Sequence, residues 1–263
     1  MIKKILYIIT INLLFLTSHA NAGSTTSEEL NSKASDTANE CFEGFSRAMF
    51  KFNYALDGAV FEPVAKGYRN LPVGLRKGTS NAVNNLRSLL TMTNNVLQGD
   101  FKKAGDTAGR FAINSTVGIL GIWDPATSLG LKDHGKEDFG QTIGVWGTKS
   151  GCYFVLPVLG PTTARDAVGL VGNVFLDPVY QITHGSVASQ SYSEHNYWYY
   201  RSTGAVDFRA KNIESFTSLE ENSIDLYASV KSLFLQNRNK KISNSKSSVT
   251  TQNDGDWEEI DTN

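Results

Sequence analysis

Residues 42–56 read FEGFSRAMFKFNYAL, and their apolar side chains set the architecture. Phe42, Phe45, Met49, Phe52 and Leu56 step by three and four, the spacing that lays them on one face of an α-helix. Phe50, Tyr54 and, just beyond, Phe61 widen that face past a single stripe. A helix apolar around most of its girth either packs inside a protein or faces lipid. The periodicity leaves both readings open, and Pro63 punctuates the chain just beyond Phe61.

Moving outward, Val83, Leu86, Leu90 and Leu97 repeat the helical spacing, and after Gly99 so do Phe101, Ala104, Ala108 and Phe111. Near the C-terminus, Asn222 or Ser223 is placed to cap a helix carrying Leu226, Val230, Leu233 and Phe234 and closing on the cations Arg238, Lys240 and Lys241. Strand-like alternation is scarce. The expected fold is all-α, a single domain of amphipathic helices over residues 40–238 with Gly/Pro-rich connecting loops. A Ser/Thr/Asn/Glu-rich lead-in precedes it at 23–39, and a polar tail, expected to be disordered, occupies 239–263, where Trp257 and Ile260 among acids are a candidate docking segment.

The N-terminus supplies an address. Lys3 and Lys4, an apolar run from Ile5 to Leu16 and Ala20-Asn21-Ala22 have the layout of a cleavable secretory signal at 1–22, so the mature chain is expected to begin at Gly23. Loss of the two lysines leaves 23 basic against 26 acidic residues, a net charge of about −3, which does not suit a nucleic-acid partner. In an oxidising compartment Cys41 and Cys152 either pair or remain as buried thiols; spacing alone does not choose.

The search for chemistry returns mostly negatives. There is no H-E-x-x-H, C-x-x-C or G-x-S-x-G. GLKDHGK at 130–136 has phosphate-loop spacing, but Glu137 stands where magnesium needs Ser or Thr, and Asp133 would face the phosphates. His134 with Asp133, Glu137 and Asp138 offers metal-ligating types, but no second cluster completes a site, so neither a metal nor a cofactor is expected. Residues 144–166, GVWGTKSGCYFVLPVLGPTTARD, concentrate Gly, Pro and bulky apolar residues with no catalytic group beside them; Tyr153, Phe154, Leu156 and Leu159 either fill a core or wall an apolar passage. Arg165 and Asp166 read as a structural ion pair or cap.

FEGFSRAMFKFNYALD, PVAKGYRNLP, NNLRSLLTMTNNVLQGDFKKAGDTAGRFAINSTVGILGIWDPA, EDFGQTIGVWGTKSGCYFVLPVLGPTTARD and VDFRA together resemble the MlaA/VacJ family, almost continuously from Glu40 to Arg238. The resemblance implies a helical, ring-like body in the inner leaflet of the outer membrane, associated with a trimeric porin. It also implies a non-enzymatic function: mislocalised phospholipid is taken from the outer leaflet and passed through an amphipathic channel to a soluble periplasmic carrier. Members are mostly lipoproteins, whereas this chain has Gly23 where the acylated Cys would stand, so attachment at the periplasmic face is expected to rest on protein surface. Cys41 and Cys152 occupy positions where the family usually has proline. On this reading the candidates for the lipid path or its gate are Phe45, Phe52, Asn53, Trp146, Gly151, Tyr153, Leu156, Pro157, Val158, Gly160 and Pro161. Two other functions remain as alternatives, a lipid hydrolase of the envelope using His134 or His195, and a structural protein docked on a porin.

Overall fold

The structure, a computed structural model, describes residues 38–184 and 195–250, without the side chains of 244 and 246–250. The segment expected to be a signal sequence, most of the lead-in and the end of the tail with Trp257 and Ile260 lie outside the described residues. Eleven α-helices are present among those described: α1 (Glu43–Leu56), α2 (Glu62–Arg69), α3 (Val73–Leu97), α4 (Phe101–Thr116), α5 (Pro125–Ser128), α6 (Phe139–Val145), α7 (Ala164–Leu176), α8 (Pro178–His184), α9 (His195–Lys211), α10 (Ile213–Asn222) and α11 (Leu226–Thr250).

Pro63 does not stop the first helix. A π-helical segment, Asp57–Phe61, joins α1 to α2, and the Glu62 amide donates to the Asp57 carbonyl five residues back. Proline has no N–H to give at the next position, and the wider turn carries the helix across that gap. The helix α3 starts at Val73, ten residues before the periodic apolar set that announced it, with Pro72 as its N-cap.

The Gly/Pro-rich stretch expected to be a loop is a β-hairpin. Strand β2 (Cys152–Leu156) pairs antiparallel with β3 (Gly160–Thr163), in register Tyr153↔Thr163 through Leu156↔Gly160. Strand β1 (Asn39–Glu40) adds a parallel edge, Asn39↔Cys152 and Glu40↔Tyr153, so the lead-in is already ordered at residue 39. The signal was present but short: Tyr153 and Val155 point inward and are fully buried, while Cys152, Phe154 and Leu156 between them are half-buried, an alternation of period two over only five residues.

Two further expectations are corrected at the C-terminus. The side chain of Asp225 accepts from the Ala228 amide at 3.2 Å and so caps α11, whereas Asn222 ends the preceding helix and Ser223 lies just past it. The tail does not begin at 239, because α11 continues to Thr250. Buried Ile242 holds it against Gly144, where a Cβ would lie 2.7 Å from the isoleucine Cδ1, and buried Ser245 donates to Glu137 Oε1 at 3.3 Å.

Apolar packing is confined to small clusters. Tyr153, Val155, Ala38 and Tyr227 form one beneath the hairpin, with Met49, Phe50, Phe234 and Leu235 against it. Val83, Tyr197 and Tyr200 form another, and Ala65, Ala210 and Ile213 a third. What joins α6, α7 and α11 is charge. Arg238 donates to Asp138 (2.5 and 3.0 Å) and to Asp166 (3.1 and 2.7 Å), and Arg165 pairs with Asp166 at 3.1 Å. Burial alone would raise the Asp138 carboxyl, but the guanidinium of Arg238 more than offsets it and holds the group at about 2. Gly169 lets α7 approach so closely that a Cβ there would sit 2.5 Å from the Gly140 Cα.

Candidate functional site

The hairpin tip is the most constrained point of the backbone near the candidate path. The Leu159 amide donates to the Pro157 carbonyl at 2.7 Å, closing a three-residue turn across Val158, whose φ is +66°. A β-branched residue in the left-handed region is strained and persists only where its surroundings hold it. Here the holder is Asn53 on α1. Its Nδ2 donates to the Leu156 carbonyl at 2.8 Å and its Oδ1 accepts from the Val158 amide at 2.7 Å. One carboxamide thus grips both sides of the tip.

Around this clamp the side chains face outward. Val158 is 58% and Leu159 68% exposed, and from α1 Phe42, Phe45, Phe52 and Tyr54 are also exposed. At the base of the hairpin, Cys41 and Cys152 form a disulfide with Cα atoms 5.5 Å apart, which closes off the free-thiol alternative and ties β1 to β2. Gly151, just before β2, has φ +70°, and a Cβ there would lie 3.1 Å from that of Ala164. Gly160 opens β3 at φ +82°, and Pro161 pairs with Val155. Trp146 is exposed on α6, with its indole N–H donating to the Leu97 carbonyl at 3.0 Å and its ring edge-on to Phe139. Tyr153 does not belong with these: it is fully buried in the cluster with Tyr227 and Phe234, because its position in the strand turns it to the core.

Burial is inverted across the molecule. Among the described residues 14 apolar side chains are buried against 22 polar or charged ones, while 33 large apolar ones are exposed. The buried polar set is organised. On α3, Asn85, Ser88, Thr91, Asn94 and Asn95, and Gln98 at its C-cap, succeed one another at helical spacing and are all buried. Asn85 donates to Ser115 of α4 at 2.9 Å; Asn94 accepts from Thr142 of α6 at 2.7 Å; Gln98 donates to Thr142 at 3.1 Å and to Glu137 at 3.2 Å. Burial pushes the Glu137 carboxyl above its usual range, with the Gln98 bond opposing. This polar stripe was legible at periods of three and four but carries no apolar signal.

A second missed feature is the segment 117–123 after α4. Val117, Ile119, Leu120, Ile122 and Trp123 are all exposed, and Ile119 and Leu120 sit at φ +51° and +56°. Consecutive left-handed non-glycine residues have no reliable sequence mark.

The acidic residues near His134 diverge. His134 meets Asp106 at 2.7 Å, Asp133 accepts from the Gly135 amide, Glu137 faces Gln98, and Asp138 faces Arg238. The phosphate-loop spacing at 130–136 leads into no helix until Phe139.

Inverted burial around a helical body with a clamped hairpin defines an amphiphile-handling protein. The family model described as MlaA lipoprotein matches residues 38–241, and the chain belongs to this family. It is 34% identical over 212 residues to the intermembrane phospholipid transport system lipoprotein MlaA of Haemophilus influenzae, covering 79% of this chain and 81% of that one. A protein of Rickettsia bellii without an assigned role is 33% identical over 248 residues, 89% of this chain and 91% of its own. A chain solved in work on the structural basis for maintenance of bacterial outer membrane lipid asymmetry superimposes with a TM-score of 0.67 at 28% identity, covering 78% of this chain and 99% of that chain.

Proposed function

We propose that this chain is a non-enzymatic phospholipid-transfer component at the periplasmic face of the outer membrane, taking mislocalised phospholipid from the outer leaflet and passing it to a soluble periplasmic carrier while held beside a trimeric porin. The observation that carries this reading is the inverted burial, apolar outside and polar within. Exposed apolar surface on this scale marks contact with lipid or with another protein. No helix among the described residues is long and apolar enough to cross a membrane, so the apolar faces of α1, α7 and α9 suit lying within one leaflet. A lipid tail of a dozen methylenes costs on the order of 10 kcal/mol to expose to water at ~0.8 kcal/mol each; the passage therefore needs covered apolar walls for tails and polar ones for head groups. The exposed apolar tip residues Val158 and Leu159 are placed to meet the tails, with the Asn53-clamped hairpin as the gate.

The same exposed apolar surface contributes to attachment. The test is native extraction of the membrane in mild detergent. Recovery with a porin and bound phospholipid supports transfer, whereas a stoichiometric porin complex devoid of phospholipid identifies a docking protein and refutes it.

A further inference from the structure

Away from the hairpin, α2, the first turns of α3 and the end of α9 line a half-open cavity of about 440 Å³. Arg69, Arg76, Lys77 and Lys211 line it, against one carboxylate, Asp207. That carboxylate is already engaged: it pairs with Lys211 at 2.8 Å and accepts from the Tyr68 hydroxyl at 3.3 Å. Arg69 pairs with Glu214. The Arg76 Nε donates to the Leu71 carbonyl at 3.0 Å, which fixes the side chain while its Nη atoms have no partner among the described residues. Lys77 likewise has no ion-pair partner among the described residues. Both lie in the first turns of α3, where the positive end of the helix adds to their charge. The volume is within the range of small-molecule sites, and the surplus of cations selects an anion.

The surroundings say which kind. Val73 on the cavity wall and Leu71 and Leu75, one to five residues before Arg76, are 55%, 44% and 60% exposed. Asn81, on the cavity wall, donates its Nδ2 to the Ile122 carbonyl at 3.0 Å and so joins the cavity to the exposed segment 117–123, which carries Ile119, Leu120 and Trp123. A dissolved anion gains nothing from such a border, whereas a lipid head group with its tails requires one, and tryptophan favours the membrane interface. We propose that this cavity is a head-group site for a membrane phospholipid, its phosphate held by Lys77 and Arg76 and its acyl chains lying along Leu71, Leu75 and the 117–123 segment. The site goes beyond the transfer reading, since it depends neither on the hairpin nor on passage of lipid.

The test titrates the purified full-length chain in neutral detergent with dihexanoyl phosphatidylglycerol and, separately, with inorganic phosphate, by calorimetry. Lys77→Glu removes one charge-assisted contact and sets a carboxylate against the phosphate, weakening lipid binding by at least about tenfold. Leu75→Ser weakens lipid binding and leaves phosphate binding unchanged. Unchanged lipid affinity in Lys77→Glu, with native helicity and melting, overturns the site. Equal affinity for phosphate and lipid, insensitive to Leu75→Ser, overturns the lipid assignment in favour of a free-anion site. Should Lys77→Glu not fold, Lys77→Gln at this exposed position gives the same reading through a several-fold loss.

Discussion

Replacing Asn53 with alanine removes both hydrogen bonds that hold the hairpin tip, those to the Leu156 carbonyl and from the Val158 amide. Each neutral bond is worth about 1 kcal/mol net, so the closed tip loses about 2 kcal/mol. The Val158 amide belongs to a residue already 58% exposed, so water replaces its partner and no large burial penalty is added. A loss of that size raises the ratio of open to closed tip by about thirtyfold. The strand pairs from Tyr153↔Thr163 to Leu156↔Gly160 and the disulfide at the base remain, so opening stays local and the melting temperature falls by no more than about 8 °C. Amide hydrogen exchange over 156–160 reads the tip directly, and outer-leaflet phospholipid reads transfer. The expected result is exchange at Val158 faster by about thirtyfold with altered lipid asymmetry. Exchange at Val158 unchanged from the parent chain would show that Asn53 is not the clamp, and faster exchange with undisturbed asymmetry would show that the tip is not the gate.

The same geometry sets four other outcomes. Val158→Gly relieves the left-handed residue and leaves the clamp atoms in place; denaturant unfolding should show it unchanged to about 1 kcal/mol more stable. Cys41→Ser/Cys152→Ser opens a link between residues 111 apart, with a chain-entropy bound of about 4.7 kcal/mol, and should lower the melting temperature without changing helicity. Asp138→Asn removes one of the two carboxylates that Arg238 pairs with and leaves it Asp166, and should cost about 1–3 kcal/mol in chemical denaturation. Asp138 has a depressed folded pKa, so its stabilisation is complete above its usual value of 3.8 and is lost as pH falls toward about 2; Glu137 is raised, so its burial favours the protonated form and stability declines as pH rises above 4.5. In Glu137→Gln, melting followed against pH should lose that second dependence and keep the acid one.

The contrast between helices and hairpin shows how far the chain announces its structure. The Phe-rich helix, α4 and the body of α3 were legible because their apolar residues recur at the helical period over several turns, and repetition outweighs any single exception. The hairpin was not, since five residues of alternation between Gly and Pro carry too little repetition to separate from a loop. Helix ends also escaped: the extension of α11 to Thr250 rests on Ile242 fitting over Gly144, a contact between residues about a hundred apart.

For the site, sequence determined the ingredients: apolar faces, two cysteines, and an adjacent Arg165 and Asp166. Only tertiary structure decided which way those faces point. Periodicity gives the width of an apolar stripe but not its partner, so a stripe destined for a core and one destined for lipid read alike. Folding placed Tyr153 inside and Phe45, Phe52 and Val158 outside, brought Asn53 to the turn a hundred residues away, and gathered Asp138, Asp166 and Arg238 into one network. Each of those depends on long-range packing, where hydrogen bonds and burial choose among neighbours that local sequence never specifies.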